Sequence, residues 1–129
     1  MNICIKYQEG EKFIALAGQH QFIIDQPKEK GGSDSGMNPL EVFLSALASC
    51  IAVYTKRYCQ SAKIDFSKLA VSVESELSQD KPVRFKDIKV SIDLGYDIGD
   101  KKESLLRFVR NCPIHNTISN KPEVEIGLQ

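Results

Sequence analysis

The sequence predicts an α+β domain, and three observations carry that reading. Apolar and polar residues alternate near the N-terminus and again over residues 69 to 96, the period of strands with one buried face. A long apolar segment between those regions opens on a helix start signal, and two shorter helix signals follow near residues 100 and 112. The length, 129 residues, fits a single domain over 1–129.

Ile3, Ile5 and Tyr7 alternate with Asn2, Cys4 and Lys6. Gly10 and Gly18 sit in polar stretches and mark turns, so the runs 13–17 and 22–24 complete a three-stranded meander. Residues 26–37 are rich in charge and glycine. They lack the spacing of a phosphate-binding loop, and read as a surface connection or as a flap beside an active site.

Asn38 is a good N-cap, Pro39 suits the first helical position, and Glu41 falls where a capping box places its acid. The helix is expected to run to about Ser61. From Pro39 to Val53 its only polar side chains are Glu41, Ser45 and Ser49. A helix so apolar is buried or spans a membrane. This run is shorter than the ~20 residues a bilayer requires and ends at Thr55, Lys56 and Arg57, which predicts a buried helix. One three-stranded sheet covers only one face of it. A second copy of the chain would cover the other, so a homodimer is expected.

Residues 69–96 read as a β-hairpin around the turn residues Gln79, Asp80, Lys81 and Pro82. A second helix is expected from Asp100, with Glu103 as its capping-box partner, ending near Asn111. Pro113 then opens a short helix, and Val124, Ile126 and Leu128 alternate as a final strand.

The 17 Lys and Arg residues balance the 17 Asp and Glu residues, which leaves no electrostatic footprint for nucleic acid or an anionic membrane. The N-terminus lacks the apolar run of a signal peptide, so a cytoplasmic location is expected. Thiols are kept reduced there. The four cysteines are then packing residues, metal ligands or catalytic groups rather than stable disulfides.

None of Cys4, Cys50, Cys59, Cys112, His20 and His115 has the close spacing of a zinc ligand pair, so no metal is expected. Cys50 and Cys59 share one predicted helix and stand about 13 Å apart at ~1.5 Å rise per residue, beyond disulfide reach. Cys112 sits at a helix N-terminus, where backbone N–H groups favour a thiolate, with Arg110 and His115 nearby in sequence. Cys50 lies in the apolar run 46–52 and reads from composition as a core residue, while Cys4 and Cys59 read as structural. His20 falls in a predicted turn.

The stretch 31–50, GGSDSGMNPLEVFLSALASC, resembles the signature region of the OsmC/Ohr family, the osmotically inducible and organic hydroperoxide resistance proteins. The segment 111–117, NCPIHNT, is similar to that family's second cysteine motif, and the order of elements agrees over nearly the whole chain. The resemblance implies an OsmC-like fold, with antiparallel sheets wrapped around a buried central helix in an intertwined homodimer. It implies that Cys50 is the peroxidatic cysteine and Cys112 the resolving one. The substrate implied is an organic hydroperoxide. The regenerating partner is an external dithiol reductant, often a lipoylated protein, and no metal or other cofactor takes part.

Two positions depart from the organic hydroperoxide resistance branch. That branch places a Glu directly after the helix-opening Pro, where this chain has Leu40, with Glu41 one residue later. One residue turns a helical side chain by about 100°, which makes the capping box the expected role of Glu41. The branch also uses an Arg from the N-terminal segment, and this chain has none before Arg57. Arg84, Arg107 and Arg110 are the substitutes on offer, and Glu41, Arg110 and His115 are candidate supporting residues. The alternative reading is an OsmC-fold protein that binds a small molecule or exchanges disulfides with little peroxidase turnover.

Overall fold

The structure is a computed structural model that describes residues 1–128. It forms two compact units, 1–44 and 45–129, each taken by itself below.

The first unit holds three antiparallel strands, β1 (Cys4–Glu9), β2 (Lys12–Ala17) and β3 (His20–Ile24), in the order β1-β2-β3. The tight turns between them need left-handed backbone at Gly10 (φ 51°) and Gly18 (φ 60°), which glycine adopts without penalty. The register pairs Ile5 with Ala15 and Ala15 with Phe22, which sets the apolar residues in rows on one face. Ala15 and Ile24 are buried, whereas Ile3 before β1 and Ile5 and Tyr7 on it are exposed.

Residues 26–37 are not a plain surface connection. The segment folds back on β3: Ile24 forms a parallel bridge with Met37, and the Asp25 N–H donates to the Met37 carbonyl at 3.3 Å. Its centre is the buried carboxylate of Asp25. Oδ1 accepts from the Gln26 N–H at 2.8 Å. Oδ2 accepts from the Ser33 N–H (3.2 Å) and hydroxyl (2.7 Å) and from the Ser35 N–H (3.1 Å) and hydroxyl (2.8 Å). The Ser33 and Ser35 hydroxyls, with the Ser35 N–H, hold this carboxyl far below the usual carboxylate range. Two glycines make the wrap sterically feasible. A Cβ on Gly32 would stand 1.8 Å from the Gln26 carbonyl oxygen, and one on Gly36 would stand 2.3 Å from that of Ile23.

Helix α1 (Pro39–Ala62) opens on the predicted capping box. Asn38 Oδ1 accepts from the N–H groups of Leu40 (3.0 Å) and Glu41 (3.1 Å), and Glu41 Oε2 accepts from the Asn38 N–H (2.8 Å). The helix ends where Lys63 turns left-handed (φ 54°) and the Ile64 N–H reaches back to the Cys59 carbonyl. The Lys101 ammonium adds a bond to the Ala62 carbonyl at 3.1 Å, a cation at the negative end of the helix.

In the second unit, β4 (Ala70–Leu77) and β5 (Phe85–Asp93) form an antiparallel hairpin. Helices α2 (Lys102–Val109) and α3 (Pro113–Ser119) follow. The core gathers Leu47, Ile51, Cys59, Leu94, Leu105, Val109 and Cys112, with Val71, Ile88, Val90 and Ile92 of the hairpin packed against it. Alternation along both strands turns these residues inward, as predicted.

Two expectations change, and one is met only in part within one chain. The sequence predicts a buried α1 whose second face a partner copy covers. Within one chain α1 buries a single stripe, Leu47, Ile51, Thr55 and Cys59, at the i, i+4 spacing of one helical face. Leu40, Phe43 and Val53 stay exposed. By length and composition alone α1 could cross a membrane, but its buried stripe packs as a core helix does. Helix α2 starts at Lys102, not at Asp100, and no side chain caps it. A 3-10 turn (Gly99–Lys101) precedes it, because Asp97 captures the Gly99 N–H at 2.9 Å and Gly99 turns left-handed (φ 60°). The final strand is absent among the described residues: Val124, Ile126 and Leu128 are exposed, because a strand needs a neighbour for its N–H and C=O groups.

Candidate active site

Cys50 lies mid-way along α1, half-buried beside the packed residues Leu47 and Ile51. Tyr54 is one turn further on the same face, and its ring lies 5.7 Å from that of Phe108 on α2. The Arg57 guanidinium sits over the Tyr54 ring at 5.3 Å. Cys50 therefore stands next to an aromatic wall. The spacing Cys50–Tyr54 was visible in the sequence, but the contact with Phe108 was not.

Cys112 is the N-cap of α3. Its extended backbone (φ −65°, ψ 140°) is the conformation required of a residue before proline, and Pro113 presets the first helical φ. The Cys112 sulfur accepts from the His115 N–H at 3.3 Å, in the place where a serine or aspartate oxygen caps other helices. Cys112 is fully buried.

The two thiols are neighbours: the Cys50 side chain is close enough to act on the Cys112 thiol. Both are reduced, as are exposed Cys4 and buried Cys59. Cys59 is the structural core residue expected, while Cys4 stands in the open on an edge strand rather than in packing.

The electrostatics of Cys112 overturn one local expectation. Its helix N-terminus promised an acidic thiol. Instead burial pushes the Cys112 thiol up, the His115 N–H works against that rise, and the neighbouring Cys50 thiol reinforces it. The N–H groups of His115 and Ile114 at the start of a seven-residue helix do not offset a dry surrounding.

The candidate supporting residues separate. Glu41 is committed to the capping box of α1. Arg110 is exposed and lines an outer cleft of α2 with Glu103, Leu106 and Arg107. Arg84 is held at the hairpin turn by both carboxylate oxygens of Asp80, at 3.2 and 3.1 Å. Among the described residues no arginine hydrogen-bonds to either thiol. His115 alone stays close, half-buried, with an Nδ1 that is buried and has no hydrogen-bond partner among the described residues. A cleft of about 420 Å³ between β5 and α2, lined by Ile92, Tyr96, Lys102, Leu105 and other residues, contains neither thiol. The Asp25 cluster was missed in the sequence; its one signal was two serines flanking an Asp in a glycine-rich loop.

A family model described as "OsmC-like protein" matches residues 32–127. A hydroperoxide reductase of Mycoplasma genitalium is 24% identical over 120 residues, covering 88% of this chain and 83% of that protein. The crystal structure of an OsmC-like protein from Mycoplasma pneumoniae matches with a TM-score of 0.78 and 23% identity, covering 93% of this chain and 87% of the other. A Psychrobacter arcticus structure, described by osmotic stress induction and detoxification response, reaches 0.80 with 19% identity over 91% and 87% of the two chains. At these identities the structural matches fix the fold.

Proposed function

The chain belongs to the OsmC-like protein family, and from that premise we propose that it is a cysteine-based peroxidase for organic hydroperoxides. The observation that carries the reading is the apposition of one accessible and one buried thiol, Cys50 and Cys112. The hydroperoxide reductase relative from Mycoplasma genitalium supports the peroxide-related part of it.

The roles follow from access. A peroxide reaches half-buried Cys50 and not fully buried Cys112. The Cys50 thiolate attacks the outer oxygen of the O–O bond, which breaks to give a Cys50 sulfenic acid and an alkoxide that leaves as the alcohol after taking a proton. Cys112 then attacks the Cys50 sulfur, forming a disulfide and releasing water. An external dithiol, for example a lipoylated protein, takes the disulfide back to two thiols. The aromatic wall of Tyr54 and Phe108 suits an organic rather than a bare peroxide. A cycle that returns to thiols fits the reducing cytoplasm.

The test is a thiol count. Reduced protein mixed with one equivalent of an organic hydroperoxide should lose two thiols per chain within seconds. A loss no faster than that of free cysteine would overturn the reading and favour a small-molecule binding or disulfide-exchange protein of the same fold.

We also propose a homodimer. Each unit leaves apolar surface in the open: Ile3 with Ile5 and Tyr7 of β1 in the first, and Val53, Leu106, Phe108 and the tail residues Val124 and Ile126 in the second. Light scattering at micromolar concentration should give twice the 14.4 kDa chain mass, and a mass of one chain would refute it.

A further inference from the structure

We propose that His115 is the proton acceptor of the resolving step, taking the Cys112 thiol proton on Nδ1 as the disulfide closes. The inference rests on the peroxidase reading above and assigns a residue within it.

The geometry is that of a helix first turn. Cys112 is the N-cap and His115 the third residue of α3, the position from which a side chain folds back toward the cap. The backbone N–H of His115 already touches the Cys112 sulfur at 3.3 Å. Bond lengths keep Nδ1 within about 5 Å of its own backbone nitrogen. The group that a third-position side chain ordinarily binds, the cap residue's N–H, is taken here by the Val109 carbonyl at 3.1 Å. The imidazole is left with a buried Nδ1 and no donor to fill it. Unfilled buried acceptors carry a cost in a folded protein, which calls for an explanation at this one.

The chemistry supplies it. Cys112 is buried and does not ionise readily, yet it must attack as a thiolate. In the reduced state Cys50 is its neighbouring thiol. Once Cys50 is a sulfenic acid, its sulfur is the electrophile, and the Cys112 proton needs another base. In the step assigned here the Cys112 S–H bond breaks and its proton moves to Nδ1. The Cys112 sulfur forms the S–S bond as the Cys50 S–O bond breaks, and the departing hydroxide takes the proton from Nδ1 to leave as water. Atoms and charge balance, and the imidazole ends neutral.

The titratable side chains at this turn are Cys112 itself and Cys50 on α1. Arg110, the nearest cation in sequence, is exposed on the outer cleft of α2.

The experiment separates the two chemical steps. Wild type and His115→Gln, both reduced, are mixed rapidly with tert-butyl hydroperoxide, and sulfenic acid and disulfide are followed by dimedone trapping and mass spectrometry. The expected result is sulfenic acid at Cys50 forming at the same rate in both, with disulfide closure slowed about 100-fold in His115→Gln, the ordinary scale of a lost general base. In His115→Gly, free imidazole added to the solution should restore part of the closure rate, which a merely structural role would not give. Equal closure rates in wild type and His115→Gln after normal sulfenic acid formation overturn this inference alone. Wild type that forms no sulfenic acid at Cys50 overturns the peroxidase reading and this inference with it. If His115→Gln does not fold, His115→Asn is measured in the same way, and disulfide closure at the wild-type rate in it refutes the imidazole as base.

Discussion

Replacing Cys50 with serine is expected to leave a protein that keeps its remaining thiols in the presence of an organic hydroperoxide. Rapid oxidation should fall by about 10³-fold or more, to the level of unassisted thiols. The reason is access: Cys112 is fully buried, Cys59 is fully buried, and burial holds both thiols in the protonated form. Exposed Cys4 reacts only as any free thiol does. Cys112→Ser should behave differently. Its first step should remain fast, one thiol should be lost, and the product should be a Cys50 sulfenic acid that dimedone traps and that over-oxidises with excess peroxide. Stopped-flow mixing followed by intact-mass measurement distinguishes the two. A Cys50→Ser protein that still consumes peroxide at the wild-type rate would remove Cys50 from its role as attacker.

Asp25→Asn is expected to lower Tm by roughly 5 to 10 °C, an unusual cost for so small a change. The Asp25 carboxylate is buried and accepts five hydrogen bonds from Gln26, Ser33 and Ser35. An asparagine keeps one acceptor oxygen, uncharged, and turns an –NH₂ toward a group that is itself a donor, so that even in the better orientation the Gln26 N–H loses its acceptor and the Ser33 and Ser35 bonds lose their charge. The acid dependence should change as well. Folding depresses the Asp25 pKa, first through the Ser33 hydroxyl and then through that of Ser35. A group depressed on folding contributes stability that is full above its unfolded value, about 3.9, and lost as pH falls through the native one. From about pH 4 downward, wild type should therefore lose stability with one more proton's slope than Asp25→Asn. Asp65 and Asp80 are also held low, by Ser67 and Arg84 respectively, but they are common to both proteins and cancel. Urea unfolding across pH 2.5 to 5 (about the range in which carboxyls titrate) measures the slopes, and parallel curves would refute the assignment.

Much of the architecture was legible because it is local. The alternation around Ile5 and Tyr7 and along the hairpin fixed the strands, and Asn38, Pro39 and Glu41 marked the start of α1 to the residue. What depends on distant partners was not. The cage around Asp25 reads as turn chemistry until Ser33 and Ser35 are folded onto β3. The Cys112 thiol promised acidity from its own segment, whereas its state is decided by burial among Leu105, Val109 and α1. The pairing of Cys50 with Cys112 came from resemblance to a family, since no local pattern joins residues so far apart. The alternation at Val124, Ile126 and Leu128 predicted a strand, but no strand among the described residues pairs with them.

The sulfur that caps α3 is also the one that enters the disulfide in the proposed cycle. A helix of seven residues has little stability of its own and leans on its cap. Each turnover therefore rewrites a helix end: when the Cys112 sulfur is drawn into the bond with Cys50, its contact with the His115 N–H must loosen. The C-terminal part of the chain would then carry a record of the redox state, readable by a regenerating partner as a change of local order and not only as an exposed disulfide. Amide exchange at His115 should be faster in peroxide-oxidised than in reduced protein, and equal protection in the two states would show that the cap survives oxidation.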